Sequence, residues 1–194
     1  MLPADGVVLA GGQSRRMGQP KHALTTPSGG DLLASAWHVL TAVCEGPVWV
    51  SRRDSTPSPQ YPEVVDRFPG LGPLAGIEAA LSQCRREWLC VLAVDLPFVP
   101  TRLFVSLYEA SQRQQHAAVV YPTIPGGRHQ PLAALWHVGA HSVLKDFLAS
   151  SQAPRVQSVM ERLPSVAVAI NEPDWLLNVN TPDDWAAAQA RWRP

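Results

Sequence analysis

The chain has 194 residues, 46% hydrophobic and 16% charged, and its sixteen Lys and Arg balance sixteen Asp and Glu. This composition excludes a disordered or fibrous chain and suits one soluble globular domain, residues 1–194, with a substantial core. Charge balance also excludes the global positive field that holds a nucleic acid polymer, so any anion site must be local.

The start, Met1-Leu2-Pro3-Ala4-Asp5, lacks the basic region and apolar run of a signal peptide. No later segment approaches about 18 uninterrupted apolar residues, so the expectation is a cytoplasmic protein without a membrane partner. Cys44, Cys84 and Cys90 form no CxxC pair and leave an odd count, which argues against a disulfide framework and a zinc site. Each lies in an apolar context and reads as a small buried hydrophobe.

Gly6-Val7-Val8-Leu9-Ala10 opens the pattern as a short β-branched run stopped by glycine, the mark of a strand buried on both faces. Gly11 and Gly12 follow, then Arg15, Arg16, Gly18 and Lys21. Glycines free to bring backbone N–H groups close to a ligand, with three cations nearby, point to phosphate. The spacing excludes GxGxxG, since Gly11 and Gly12 are adjacent, and it excludes a Walker A loop, since His22 follows Lys21.

A helical pattern at 31–43 carries Leu32, Leu33, Ala36, Val39, Leu40 and Val43 on one face. Strands are expected at 47–51 and 63–66, separated by an irregular Pro- and Ser-rich loop at 52–62. A helix is expected at 73–86, with Pro73 in its first turn, then a strand at 88–95 that Asp95 closes, and a helix at 100–115. Strands at 117–122 and 132–136 flank "TIPGGRHQP", a turn that could close a hairpin. A helix at 139–150, a strand at 166–170 and a helix at 181–192 complete the chain; Thr181 is a good N-cap, with Pro182 at N1 and Asp184 at N3. Such alternation predicts βαβ units in a mostly parallel sheet with helices on both faces. Ligands bind beyond the carboxyl ends of such strands, which directs attention to the residues after Ala10, Ser51, Val65 and Val94.

"LAGGQSRRMGQPK", Leu9 to Lys21, resembles the LAGGxSxRMGxxK signature of the MobA-like nucleotidyltransferases that make the molybdenum cofactor dinucleotide. "GPLAGIEAAL", "LAVDLPFVP", "QPLAALW" and "LNVNTPDDW" are similar to family segments in the same order, so the resemblance spans nearly the whole chain. It implies a Rossmann-like α/β nucleotidyltransferase fold and transfer of GMP from GTP to molybdenum-molybdopterin, with release of pyrophosphate. It implies Leu9, Ala10, Gly11, Gly12, Arg15, Lys21, Asp66 and Asp95 as nucleotide-binding residues, and Lys21, Arg16 and Asp95 as catalytic ones. Mg²⁺ would be held by Asp95 and Asn180, and Asn178 and Asn180 would face the acceptor. Read from the residues themselves, Arg128, His129 and Gln130 form a polar turn suited to acceptor phosphates. The residues keep other readings open: a turn-forming Asp66, helix packing for Gly76, and a solvated hairpin at 128–130. Molybdenum insertion proteins and apo-molybdoenzymes are the implied protein partners.

One departure concerns the base. Family members that use GTP commonly carry an Asn after the second strand, where this chain has Ser51-Arg52-Arg53-Asp54. The rival is a cytidylyltransferase acting on the same cofactor, whose family commonly reads Ala-Ala-Gly where this chain has Ala10-Gly11-Gly12. A sugar-1-phosphate nucleotidyltransferase and a non-catalytic nucleotide-binding protein are the remaining alternatives. Histidines 22, 38, 116, 137 and 141 show no metal-ligand spacing.

Overall fold

A computed structural model describes residues 1–11, 23–27, 29–51, 60–124, 126, 128–150 and 154–192. Its elements run β1 (Ala4–Leu9), α1 (Leu32–Val43), β2 (Val48–Ser51), β3 (Glu63–Val64), α2 (Pro73–Leu81), β4 (Trp88–Ala93) and α3 (Thr101–Arg113). Then follow β5 (Val119–Ile124), β6 (Arg128–His129), β7 (Ala133–His137), α4 (His141–Ser150), α5 (Val156–Met160), β8 (Ser165–Ala169) and α6 (Pro182–Arg191).

Eight strands form one sheet in the order β3-β2-β1-β4-β7-β5, with β6 and β8 also paired to β5. The strands β1 to β4 are mutually parallel where they pair, β7 inserts antiparallel between β4 and β5, and β8 lies parallel along the far side of β5. The expected mostly parallel sheet is therefore present, with β7 and the short β6 as its antiparallel members. Both β1 and β4 are buried at every position, as expected at the centre of a sheet covered on two sides; β4 is apolar throughout, and β1 is apolar but for Asp5.

The crossover through α1 runs outward from β1 to β2, and the one through α2 runs back from β3 to β4. Right-handed crossovers in opposite directions put their helices on opposite faces. Accordingly α1 packs with α3, and α2 packs with α4. Asp31 starts α1 by accepting a hydrogen bond from the Ala34 N–H at 2.7 Å. At α6 the Thr181 hydroxyl accepts from Asp184 N–H at 3.1 Å, while Asp184 Oδ2 accepts from Thr181 N–H at 2.9 Å, the expected capping box.

Several boundaries differ from the sequence reading, each for a local reason. The helix expected to 86 ends at Leu81 because the chain turns to give two amides to the buried Asp5 carboxylate. Arg85 and Arg86 N–H groups reach Asp5 Oδ2 at 2.8 and 3.4 Å. The strands expected to reach Asp66 and Asp95 stop at Val64 and Ala93, leaving each carboxylate two residues beyond the last strand residue. Five-residue α5 and two-residue β6 are too short to show a period.

Between β6 and β7 the chain bulges. Val120 pairs with Leu135 but Thr123 pairs with His129, so the returning chain spends extra residues, Gln130 to Leu132, outside the ladder. Leu132 C=O accepts from Ala93 N–H at 2.8 Å, which ties this bulge to the end of β4.

At the opposite pole Asp5 is fully buried, with Arg86 Nε 3.7 Å from Oδ1. Cys44 and Cys90 are buried as expected, but Cys84 is half-buried and the group is not wholly apolar. Burial first, then the nearby Asp5 carboxylate, pushes the Cys84 thiol well above its ordinary range. A hydrogen bond with Cys44 and burial do the same for Cys90.

Gly76 of α2 lies against the ends of β1 and β2. A Cβ built there would overlap Ser51 Oγ and come within 2.9 Å of Ser51 Cβ and 3.1 Å of a Leu9 methyl. The packing reading of Gly76 thus has a direct geometric basis.

Two outcomes follow. Gly76→Ala should destabilise the fold by about 1–3 kcal/mol in urea unfolding, with partial recovery when combined with Ser51→Gly. Cys84 should alkylate slowly with iodoacetamide at pH 8 despite its partial exposure, because its raised pKa leaves little thiolate, and rapidly in urea.

Candidate active site

Strand order reverses between β1 and β4: the chain leaves β1 toward β2 and β3, then returns to β4 on the other side. The register aligns Leu9 with Ala93 and Leu9 with Ser51, so three carboxyl ends finish level. Beyond them Ala10 N–H donates to Ser51 C=O at 2.9 Å, and Val94 N–H donates to Leu9 C=O at 3.2 Å. Leu9 and Ala10 are therefore buried backbone at the floor of the crevice, and Gly11 stands at its lip.

Asp95 stands half-buried beside this floor. Its backbone carbonyl accepts from Val179 N–H at 2.8 Å, which joins the strand end to a segment far along the chain. Val179 is 1% exposed and belongs to a small second core with Leu24, Leu32 and Ala188, against which Phe98, Trp185 and Trp192 pack. That anchorage brings Asn178 and Asn180, half-buried on either side of Val179, to the Asp95 side of the crevice. Asn180 N–H donates to Asp184 Oδ2 at 2.9 Å, so the cap of α6 also fixes the backbone at Asn180.

Gln130 reaches the same segment from the bulge. Its side-chain N–H group donates to Leu176 C=O at 3.2 Å and to Asn178 Oδ1. The neighbouring His129 serves a different surface: it is exposed, with its ring edge-on to Tyr121 at 5.4 Å between centroids. It lines a groove of about 270 Å³ together with Tyr121, Pro131, Gln157 and Met160. Arg128 lies in β6, paired with Ile124. The structure thus joins Gln130 to Asn178 and separates both from His129, which the sequence had grouped with Gln130.

Asp66 lies half-buried beyond β3, and its Oδ1 accepts from Phe68 N–H at 2.8 Å. The turn-forming reading of Asp66 therefore describes one of its oxygens. Gly12, Arg15, Arg16 and Lys21, together with Arg52, Arg53 and Asp54, lie outside the described residues.

Three polar residues near this loop escaped sequence reasoning. Glu78 is fully buried on α2, where Arg67 clasps both its oxygens and His141 Nε2 lies 2.9 Å from Oε1. The available signal was the lone acid inside the apolar helix "LAGIEAAL". Its partners, 11 residues before and 63 after, had none.

A doubly wound sheet with its crevice at a strand-order reversal, floored by backbone and edged by a carboxylate, is the architecture of a nucleotide-handling α/β protein. Residues 6–167 match the family model of the MobA-like NTP transferase domain. A molybdenum cofactor guanylyltransferase of Rhizobium leguminosarum is 33% identical over 199 residues, covering 96% of this chain and 91% of its own. One of Nitrobacter hamburgensis is 30% identical over 197 residues, covering 96% and 93%. In fold, the chain is similar to the molybdopterin-guanine dinucleotide biosynthesis protein A of Archaeoglobus fulgidus, with a TM-score of 0.81 at 24% identity over 96% and 97% of the two chains. The chain belongs to the MobA-like NTP transferase family and is a nucleotidyltransferase by class.

Replacing Gln130 by Leu removes two hydrogen bonds and leaves acceptors at Leu176 and Asn178 unmatched, a loss of about 1–3 kcal/mol. Amide exchange at Val179 should then quicken while exchange in β1 and β4 stays slow, measurable residue by residue by NMR.

Proposed function

We propose that this protein transfers GMP from GTP to molybdenum-bearing molybdopterin, forming the molybdopterin guanine dinucleotide. The whole chain acts as one transferase domain in the cytoplasm, and among the described residues no helix is long and apolar enough to cross a membrane. A phosphate oxygen of the acceptor attacks the α-phosphorus of GTP; the bond from that phosphorus to the bridging oxygen breaks, and pyrophosphate leaves. The observation that carries this reading is the bond between Asp95 C=O and Val179 N–H. It supports a donor side at Leu9–Gly11 and an acceptor side at Asn178–Asn180 meeting over one carboxylate.

In this reading the backbone at Leu9, Ala10, Gly11 and Gly12 cradles the nucleotide, and Asp66 contacts it from the loop after β3. Arg15, Arg16 and Lys21 neutralise the triphosphate, and Arg16 and Lys21 stabilise the charge that gathers on the leaving pyrophosphate. Asn178, Asn180 and Gln130 orient the acceptor phosphate for in-line attack, with Arg128 and His129 at its outer edge.

Asp95 and Asn180 offer only oxygen donors. Among the described residues no group of three or more His, Cys, Asp or Glu could hold a metal ion. This sparse oxygen set fits Mg²⁺, which keeps waters and takes substrate phosphates, and does not fit a tetrahedral zinc site. Asp95 and Asn180 would hold the ion, which supplies charge stabilisation at the α-phosphate when bound. Molybdenum insertion proteins upstream and apo-molybdoenzymes downstream are the partners this chemistry calls for.

The test is pyrophosphate release from each NTP with Mg²⁺ and molybdenum-loaded molybdopterin. GTP should be the preferred donor; preference for CTP would overturn the guanine assignment in favour of cytidylyl transfer. Asp95→Ala should lower turnover by about 100-fold or more, the scale for loss of a charge-stabilising group, with an unchanged far-UV spectrum. Full turnover in that variant would remove Asp95 from the mechanism.

A further inference from the structure

We propose that Glu78 is a positioning residue for the nucleotide loop: through Arg67 it fixes the backbone that presents Asp66 to the nucleotide. The inference rests on the guanylyl-transfer reading above and assigns a role to a group outside that machinery.

The loop in question has little of the sheet to hold it. It follows β3, an edge strand of two residues, and begins with Val65, whose exposure is 83%. Gly70 and Gly72 within it adopt φ of 89° and 77°, a region that other residues rarely enter, so the path is particular and needs support. That support comes from α2. Arg67 Nε donates to Glu78 Oε2 at 3.2 Å and Arg67 Nη2 donates to Oε1, a two-point clasp that fixes the angle of the guanidinium as well as its distance. His141 of α4 meets the same oxygen, with Nε2 2.9 Å from Oε1 and 3.2 Å from Arg67 Nη2.

Glu78 itself cannot shift easily. Two residues earlier Gly76 seats α2 against Ser51 and Leu9, so Glu78 is referenced to the crevice floor. The connection therefore runs from the floor through α2 to Glu78, across to Arg67, and along one peptide to Asp66.

Stability alone gives no reason for an ion here. Replacing a buried ion pair by well-packed apolar groups is often neutral or stabilising, and Leu74, Ile77 and Leu81 show that the inner face of α2 accommodates apolar side chains. What an apolar contact would lack is direction. Arg67 is 47% exposed in its side chain, so its partner restrains a group that would otherwise sample solvent.

The experiment is calorimetric titration of GTP with Mg²⁺, together with steady-state pyrophosphate release. The proteins are wild type, Asp66→Ala, Glu78→Gln, Arg67→Met, and the double variant Arg67→Met with Glu78→Leu. Glu78→Gln and Arg67→Met should each weaken GTP binding and raise its KM by about tenfold, with kcat held within about threefold. The double variant should bind GTP no worse than either single one, because one tie is cut in all three, and its Tm should lie near wild type. A purely structural role would lower Tm and leave KM unchanged. If wild type binds GTP, Asp66→Ala weakens it and the folded Arg67→Met variant binds as wild type, this inference falls and the functional proposal stands. Wild-type affinity in Asp66→Ala also removes it. Failure of wild type to bind GTP overturns the functional reading itself. Should Glu78→Gln fail to fold, Arg67→Met decides alone.

Discussion

The pairing of β1 with β4 is the constraint on which the molecule depends. Six positions of each strand are buried, and their register holds Leu9 level with Ala93. Each large apolar side chain so buried contributes about 1.5–3 kcal/mol, so separating the two strands is costly. The candidate site is placed by where these two strands stop. The glycine segment leaves one end and Asp95 leaves the other, and because the chain order reverses here, no crossover covers the gap between them.

Buried charge is then handled differently at the two poles. At the foot of the sheet Asp5 is satisfied mainly by backbone amides of residues 85 and 86, with Arg86 alongside, and it ends α2 there. Charge-assisted hydrogen bonds contribute about 1.5–3 kcal/mol each, enough to offset much of the cost of drying a carboxylate. Near the crevice Glu78 is satisfied by side chains of two other elements, so its effect is to fix those elements relative to α2. One carboxylate terminates a helix and the other links three parts of the fold.

The second core has an importance beyond its size. Leu24, Leu32, Val179 and Ala188 draw α6, the start of α1 and the 178–180 segment into one cluster. Without that cluster the asparagines would belong to a distant stretch of chain. With it, a backbone bond to Asp95 and a side-chain bond from Gln130 hold them at the crevice, and the capping box of α6 fixes the exit.

The alternation of apolar runs with helical periods determined the α/β class, the order of the main elements and the mostly parallel sheet, because burial on two faces leaves a pattern that needs no partner to be read. The stretch from Leu9 to Lys21 determined the family, and Thr181 with Asp184 determined the start of α6, since both signals are local. Tertiary structure decided the rest. It moved the ends of α2, β3 and β4, because Asp5 and the turns at Asp66 and Asp95 compete with the ladders there. It separated His129 from Gln130, because a bulge sends neighbouring side chains to different partners. It also brought Glu78 to Arg67 and His141: one acid in an apolar helix records that a charge is buried, but the groups that neutralise it are fixed only when the loop after β3 and α4 fold onto α2.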